Sequence, residues 1–320
     1  MATYNITLNS TNVIGINNNT FQYNFVTGSI DIPDGATMSV SQVTIPYSWK
    51  NITASLGNNQ WGYTLPDATA SPNTVTLTFG PYTIPDGFYT TSDINDIIHD
   101  QMITNGHYWK RLTATQGTHN YEYEYPLSIV VNPSLYTNQI QAKVIPLSAN
   151  IATVFGTNAT VGGWTSYPIV AGYTGQFIFY GTTTPTSTLL QNILGFTSSG
   201  TTYYPTSNIS GYTGSKFVLI NGNSLNASPP FPPLASMVNG VIVRCNLVSN
   251  PIASPSDILD SFAITSQYGS NINYLPIANN QVKMKKGRYN NLIISFSDQN
   301  YNQILALDPN VLITVIIRIP

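Results

Sequence analysis

Short runs of alternating apolar and polar residues, cut by Pro, Gly and Asn, dominate this chain. Phe21-Gln-Tyr-Asn-Phe25, Val75-Thr-Leu-Thr-Phe79 and Tyr121-Glu-Tyr-Glu-Tyr125 place successive side chains on opposite faces of an extended backbone. Met38-Ser-Val-Ser-Gln-Val-Thr-Ile45 does the same, but its phase slips between Val40 and Val43. Four inward side chains on both sides of a slip require one extra residue, so a bulge or bend is expected there. Further strands read at 29–33, 127–131, 140–145, 241–243, 258–264 and 289–296. Residues 1–20 are Asn-rich and read as an arm or an edge segment. The unbroken run Val311-Leu-Ile-Thr-Val-Ile-Ile-Arg-Ile319 reads as a strand buried on both faces, unless its last residues emerge at an edge. Roughly a dozen strands spaced by turn signals such as Pro33-Asp34-Gly35 predict an all-β sandwich or jelly roll.

Composition narrows the alternatives. Only 8% of the 320 residues are charged, 11 basic and 13 acidic, against roughly 25% in a typical domain. Neutral polar and turn-forming residues fill the gap: 35 Asn, 38 Thr, 23 Gly, 21 Pro and 21 Tyr. Intrinsic disorder goes with low hydrophobicity and high net charge, whereas here 42% is hydrophobic and the net charge is -2. That charge provides no field for steering nucleic acid. A helical bundle would need the Ala, Leu, Glu and Lys that this chain lacks. No run is long and apolar enough for a membrane-spanning helix. The amino terminus lacks the basic and apolar regions of a signal peptide. Cys245 is alone and cannot form an internal disulfide.

Two stretches read as helix. In Thr90-Thr-Ser-Asp-Ile-Asn-Asp-Ile-Ile-His-Asp-Gln-Met-Ile-Thr-Asn-Gly106, a Thr cap and Asp93 stand at the start and Gly106 at the stop. Ile94, Ile97, Ile98 and Met102 recur at helical spacing, so helix 91–104 should pack one face against a sheet. Thr188-Leu-Leu-Gln-Asn-Ile-Leu-Gly195 reads as one short helix. Gly172-Tyr-Thr-Gly175 and Gly211-Tyr-Thr-Gly214 each precede a strand-like run, which suggests one turn type used twice. Charge is sparse from 148 to 235, and Ser228-Pro-Pro-Phe-Pro-Pro-Leu234 is a stiff connector. The expected organisation is a jelly roll whose first part is 1–147, including the helix, and whose second part is 236–320. A β-rich insertion at 148–235 separates them.

Catalytic chemistry finds little support in these residues. His99 and His107 are eight apart, but His107 lies beyond the helix stop, so no two metal ligands share a face; surface or capping roles are expected for them and for His119. Cys245, beside Val241 and Val243, reads as a small core residue. Glu122 and Glu124 share a strand face about 7 Å apart. That would suit an inverting hydrolase pair only if both lined a cleft; a solvated strand face is the simpler reading. Asp31, Asp34 and Asp86 fall in or beside Pro-Asp-Gly contexts, where Asp shapes the turn rather than binding calcium. No catalytic, metal-binding or cofactor-binding residue is assigned. The one local charge signal is Lys283, Lys285, Lys286 and Arg288, without interleaved aromatics. It reads as a possible subunit contact. Abundant Tyr, Thr and Asn also suit a glycan-binding or host-attachment module.

Five segments in order resemble the minor capsid, or penton, proteins of virophages and polinton-like viruses. They are YNFVTGSIDIPDGATMSVSQVTIPYSWKNIT (23–53), PYTIPDGFYTTSDINDIIHDQM (81–102), LLQNILGF (189–196), VRCNLVSN (243–250) and GRYNNLIISFSDQNYNQILALDPNVLITVIIRIP (287–320). The resemblance implies a jelly-roll homopentamer at the vertices of an icosahedral shell, beside a double-jelly-roll major capsid protein. It implies neither enzymatic activity nor a cofactor. The implied location is the virion, after production in an infected host cell, with a host receptor as a further partner for an outward-facing module.

Overall fold

The computed structural model describes residues 2–66, 76–112, 121–132, 137–143, 145–146, 148–155, 159–162, 175–180, 190–195, 202–203, 218–221, 238–277 and 280–320. Its contacts divide the chain into two compact units, Met1–Lys50 with Ser236–Pro320, and Asn51–Ala235. In the first unit, β1 (Ala2–Leu8), β2 (Thr20–Asn24), β3 (Ile30–Ile32) and β4 (Thr37–Pro46) come before the excursion. The second unit carries β5 (Gln60–Pro66), β6 (Thr76–Thr83), α1 (Thr91–Thr104), β7 (Trp109–Leu112), β8 (Tyr121–Glu124), β9 (Leu127–Asn132) and β10 (Thr137–Ala142). It continues with α2 (Ile151–Phe155), β11 (Thr160–Val161), β12 (Gln176–Tyr180), α3 (Leu190–Ile193), β13 (Thr202–Tyr203) and β14 (Val218–Asn221). The chain then completes the first unit with β15 (Gly240–Cys245), β16 (Ile258–Ala263), β17 (Asn271–Tyr274), β18 (Val282–Lys283), β19 (Gly287–Tyr289), β20 (Asn291–Ser297) and β21 (Leu312–Ile319).

The first unit is an eight-stranded jelly roll. One sheet runs β1-β21-β4-β17 and the other β16-β15-β20-β2, with every pairing antiparallel. Counting only these eight strands in chain order, the sheets read 1-8-3-6 and 5-4-7-2, the double Greek key of a jelly roll. Alternation builds the core between them. Phe21 and Phe296 meet edge to face at 5.8 Å, and Val241, Val243, Ile294, Ile313, Val315 and Ile317 are buried around them. Each such side chain contributes about 1.5–3 kcal/mol when fully buried. The phase slip in β4 is a bulge: Gln42 pairs with Thr314 and Val40 with Val315, which leaves Ser41 unpaired. The extra residue keeps Met38, Val40, Val43 and Ile45 all buried.

The strand directions sort the connections to two ends. Residues 9–19, 264–270 and 298–311 lie at one end, where the chain also departs after β4 and returns before β15. Residues 25–36, 246–257 and 275–290 form the connections of the other end, which also holds the short pairs β18 with β4 and β19 with β3.

In the second unit the described strands form three sheets, β13-β12-β5-β6, β14-β10-β9 and β11-β7-β8. Helix α1 begins in a capping box. Thr90 Oγ1 accepts from the Asp93 backbone N–H at 3.2 Å, and Asp93 accepts in turn from the Thr90 N–H at 2.8 Å. Ile94, Ile98 and Met102 are buried, and Asn95 accepts the Ile129 N–H of β9 at 2.8 Å. Gly106, at φ 78°, supplies the left-handed stop.

Several expectations change. The expected insertion start at 148 falls inside the second unit, which begins at Asn51, and α1 belongs to that unit. The departure is hard to see because Tyr47 and Trp49, in the exit segment, are buried with their rings 4.6 Å apart at a 37° tilt, as core residues would be. Strand β21 is buried on one face only, alternating buried and half-buried residues between β1 and β4. Its second face holds Ile316 among polar neighbours rather than a second packed layer. His107 is buried instead of superficial. The short helix spans 190–193 and ends at Gly195, φ 82°; its expected cap, Thr188, lies outside the described residues, as do His119, 211–214 and 228–234.

Candidate functional site

The basic residues 283–288 sit on the connection entering β20. Met284 is the anchor: its side chain is buried, its N–H donates to Ala36 O at 2.9 Å, and it bridges to Val248. Alternation then turns Lys283 and Lys285 outward, and Lys286 is also exposed. Gly287 has a φ of 151°, and a Cβ there would meet the Tyr289 ring at 3.2–3.3 Å, so both conformation and space call for glycine.

Two acidic residues lie opposite this segment. Lys283 Nζ is 3.0 Å from Asp34 Oδ1, and this hydrogen-bonded ammonium holds the Asp34 carboxyl below the usual carboxylate range. Arg288 stands across the β19–β3 pair from Asp31, 4.0 Å away, and its Nε donates to Ser29 Oγ at 2.8 Å. Lys285 Nζ donates to Asn246 O at 2.9 Å. Arg318, opposite Thr37 in β21, adds a fifth cation at this end. Asp34, in the turn, and Asp31, in β3, thus serve as counter-ions. The charged groups other than Arg318 are solvent-exposed, so these pairs contribute little to stability. The surface keeps a net positive charge.

The remaining candidates do not converge. Glu122 is 61% exposed, 4.0 Å from Arg111, whereas Glu124 is 20% exposed and bound to the buried Lys143 ammonium. Two carboxylates with separate cationic partners are not an acid–base pair facing one cleft. A groove of about 440 Å³ lies on the jelly roll, along residues 239–242 and 261–263 with Gln299, and its lining contains no ionisable side chain.

The two histidines among the described residues have structural roles. His99 stacks on Tyr125 at 3.7 Å and its Nε2 meets Ser128 Oγ at 3.0 Å. His107 Nδ1 lies 2.7 Å from the Tyr63 hydroxyl, which accepts from Asn105 Nδ2 at 2.6 Å. Burial pushes both imidazoles down to about 4, and the Tyr63 phenol up. Cys245 is buried with Sγ 3.7 Å from Met38 Sδ, and burial raises its thiol to about 12. Among the described residues no group of three His, Cys, Asp or Glu could hold a metal ion, and no helix is long and apolar enough to cross a membrane. Sequence reasoning missed the Lys143–Glu124 and Tyr63–His107 pairs. The alternation of Glu124 with tyrosines was the only local hint of the first.

No family model and no curated protein matches the chain. Among solved structures it is similar to the selenomethionine-labelled mavirus penton protein, with a TM-score of 0.41 and 10% identity over 98% of this chain and 97% of that one. At that level of likeness the jelly-roll assignment rests on strand order and register.

Proposed function

We propose that the chain is a structural minor capsid protein, the homopentameric vertex unit of an icosahedral viral shell. The observation that carries this reading is the complete eight-stranded jelly roll, interrupted between its third and fourth strands by residues 51–235. Jelly rolls serve capsids, lectins and cupins alike. The ordered segments resembling virophage and polinton-like penton proteins favour the first. A weakly charged surface rich in Asn, Thr and Tyr limits the desolvation cost of packing subunits side by side. The partners would be four further copies and a double-jelly-roll major capsid protein. Lys283, Lys285, Lys286 and Arg288 would face the rest of the particle.

The test is native mass spectrometry with negative-stain imaging, on the chain alone and coexpressed with such a major capsid protein. Five copies per ring and fivefold projections are expected. Replacing all four basic residues with Ser should weaken shell incorporation without lowering Tm. A trimer that binds glycans would replace the capsid reading with an attachment module, and unchanged incorporation of the Ser variant would remove the basic cluster from the contact.

A further inference from the structure

The end of the jelly roll that carries the basic segment has a second property. Val26, on the connection after β2, is 92% exposed, and Ile252, on the connection after β15, is 95% exposed. Both loops are fixed to the basic segment. Phe25 N–H donates to Asn290 O at 3.1 Å and Arg288 reaches Ser29, while Gly28 N–H closes the turn onto Phe25 O at 2.8 Å. On the other side, Ser249 N–H donates to Lys283 O and Lys285 N–H to Leu247 O, both at 2.8 Å, and Asn250 N–H closes the loop onto Ser256 O at 2.7 Å. Val26 and Ile252 therefore project from loops braced against Lys283, Lys285, Lys286 and Arg288, with Arg318 at the same end, and the exposed Leu275 and Ile277 stand on the connection after β17. Five of the chain's 11 basic residues gather there, against Asp31 and Asp34, while Asp257 at the same end is paired with Arg244 at 2.8 Å.

We infer that this end of the jelly roll docks on an anionic lipid bilayer, with lysines at the headgroup phosphates and Val26 and Ile252 in the outer acyl region. Protein interfaces are depleted in Lys and surround a contiguous packed centre. Here the exposed aliphatic groups are spread over three connections, one of which carries the lysines, rather than packed into one centre. That arrangement suits a boundary where charge meets phosphate and isolated apolar groups enter hydrocarbon. Attachment of this kind is peripheral and spans nothing. It replaces the subunit contact proposed for these cations with a lipid contact and leaves the jelly-roll capsid reading as it stands, so either can fail alone.

Sedimentation with vesicles tests it on the full chain. Binding is expected to vesicles rich in phosphatidylserine and not to pure phosphatidylcholine, with release near 1 M salt, where the Debye length is about 3 Å. Lys285→Ser with Lys286→Ser should weaken binding about 25-fold, at about fivefold per cation near the surface. Val26→Ser with Ile252→Ser leaves every charge in place and should weaken it about tenfold. Unchanged far-UV circular dichroism confirms that both variants fold. Equal binding to both vesicle types overturns the proposal, as does full binding by the Val26/Ile252 variant. Capture by soluble polyglutamate without vesicle binding would reassign the surface to an acidic protein.

Discussion

Lowering the pH should destabilise the second unit through His107. Its imidazole is buried against the Phe79 ring at 4.4 Å, and Nδ1 faces the Tyr63 hydroxyl at 2.7 Å. With the Tyr63 hydroxyl donating to Nδ1 and accepting from Asn105 Nδ2, the neutral ring carries its proton on Nε2. Protonating Nδ1 would set two donors against each other in a desolvated site. Burial accordingly depresses the imidazole from 6.5 to about 4. A depressed histidine makes the unfolded chain bind more protons between those values. The stability it confers is complete above pH 6.5 and is lost as pH falls toward 4. At 1.36 kcal/mol per unit, that amounts to about 2–3 kcal/mol between pH 7 and 4.5. Urea unfolding at the two pH values, followed by the fluorescence of Trp61 and Trp109 in the same unit, measures it. His107→Asn should be less stable at pH 7 yet lose about 2–3 kcal/mol less on acidification. His99, also depressed to about 4, is present in both proteins and cancels in the difference. Parallel losses in wild type and variant would refute the assignment.

Glu124→Ala leaves the Lys143 ammonium in a nearly closed site and should cost about 3 kcal/mol. Glu122→Ala removes only an exposed 4.0 Å pair and should stay within about 0.5 kcal/mol, so comparing the two by urea titration separates structural from surface carboxylate. Thr90→Ala loses both hydroxyl bonds of the capping box and should lower stability by about 1 kcal/mol, with reduced amide protection in the first turn of α1. Cys245, with its thiol near 12, should resist maleimide in the native state and react on unfolding; rapid native labelling at neutral pH would contradict its burial against Met38.

Local signals were legible in the sequence, and long-range ones were not. The α1 boundaries followed from Thr90, Asp93 and Gly106, because caps act within one helical turn. The β4 bulge followed from the spacing of Val40 and Val43, because a buried face enforces phase. Cys245 and the turn residue Asp34 were placed correctly by their neighbours alone, whereas Asp31 lies in β3. The pairing of Arg288 with Asp31 and of Lys283 with Asp34 joins residues far apart in sequence, which no spacing encodes. His107 looked superficial because it follows a helix stop, yet Gly106 turns the chain inward toward Tyr63. The unit boundary after Lys50 escaped notice because aromatic packing, not a flexible linker, holds the exit segment.

The excursion between the third and fourth jelly-roll strands also sets a timetable. At synthesis rates of about 5–20 residues per second, β1 leaves the ribosome tens of seconds before β21, the strand that covers its edge from Ala2↔Ile319 to Leu8↔Ile313. Until residues 240–297 emerge, β1–β4 have no sheet to join, while residues 51–235 emerge before them and can fold first. The last strand made is an interior strand, between β1 and β4. Closure of the jelly roll therefore waits for β21: a chain stalled before residue 312 would carry a finished second unit and an unclosed first sheet.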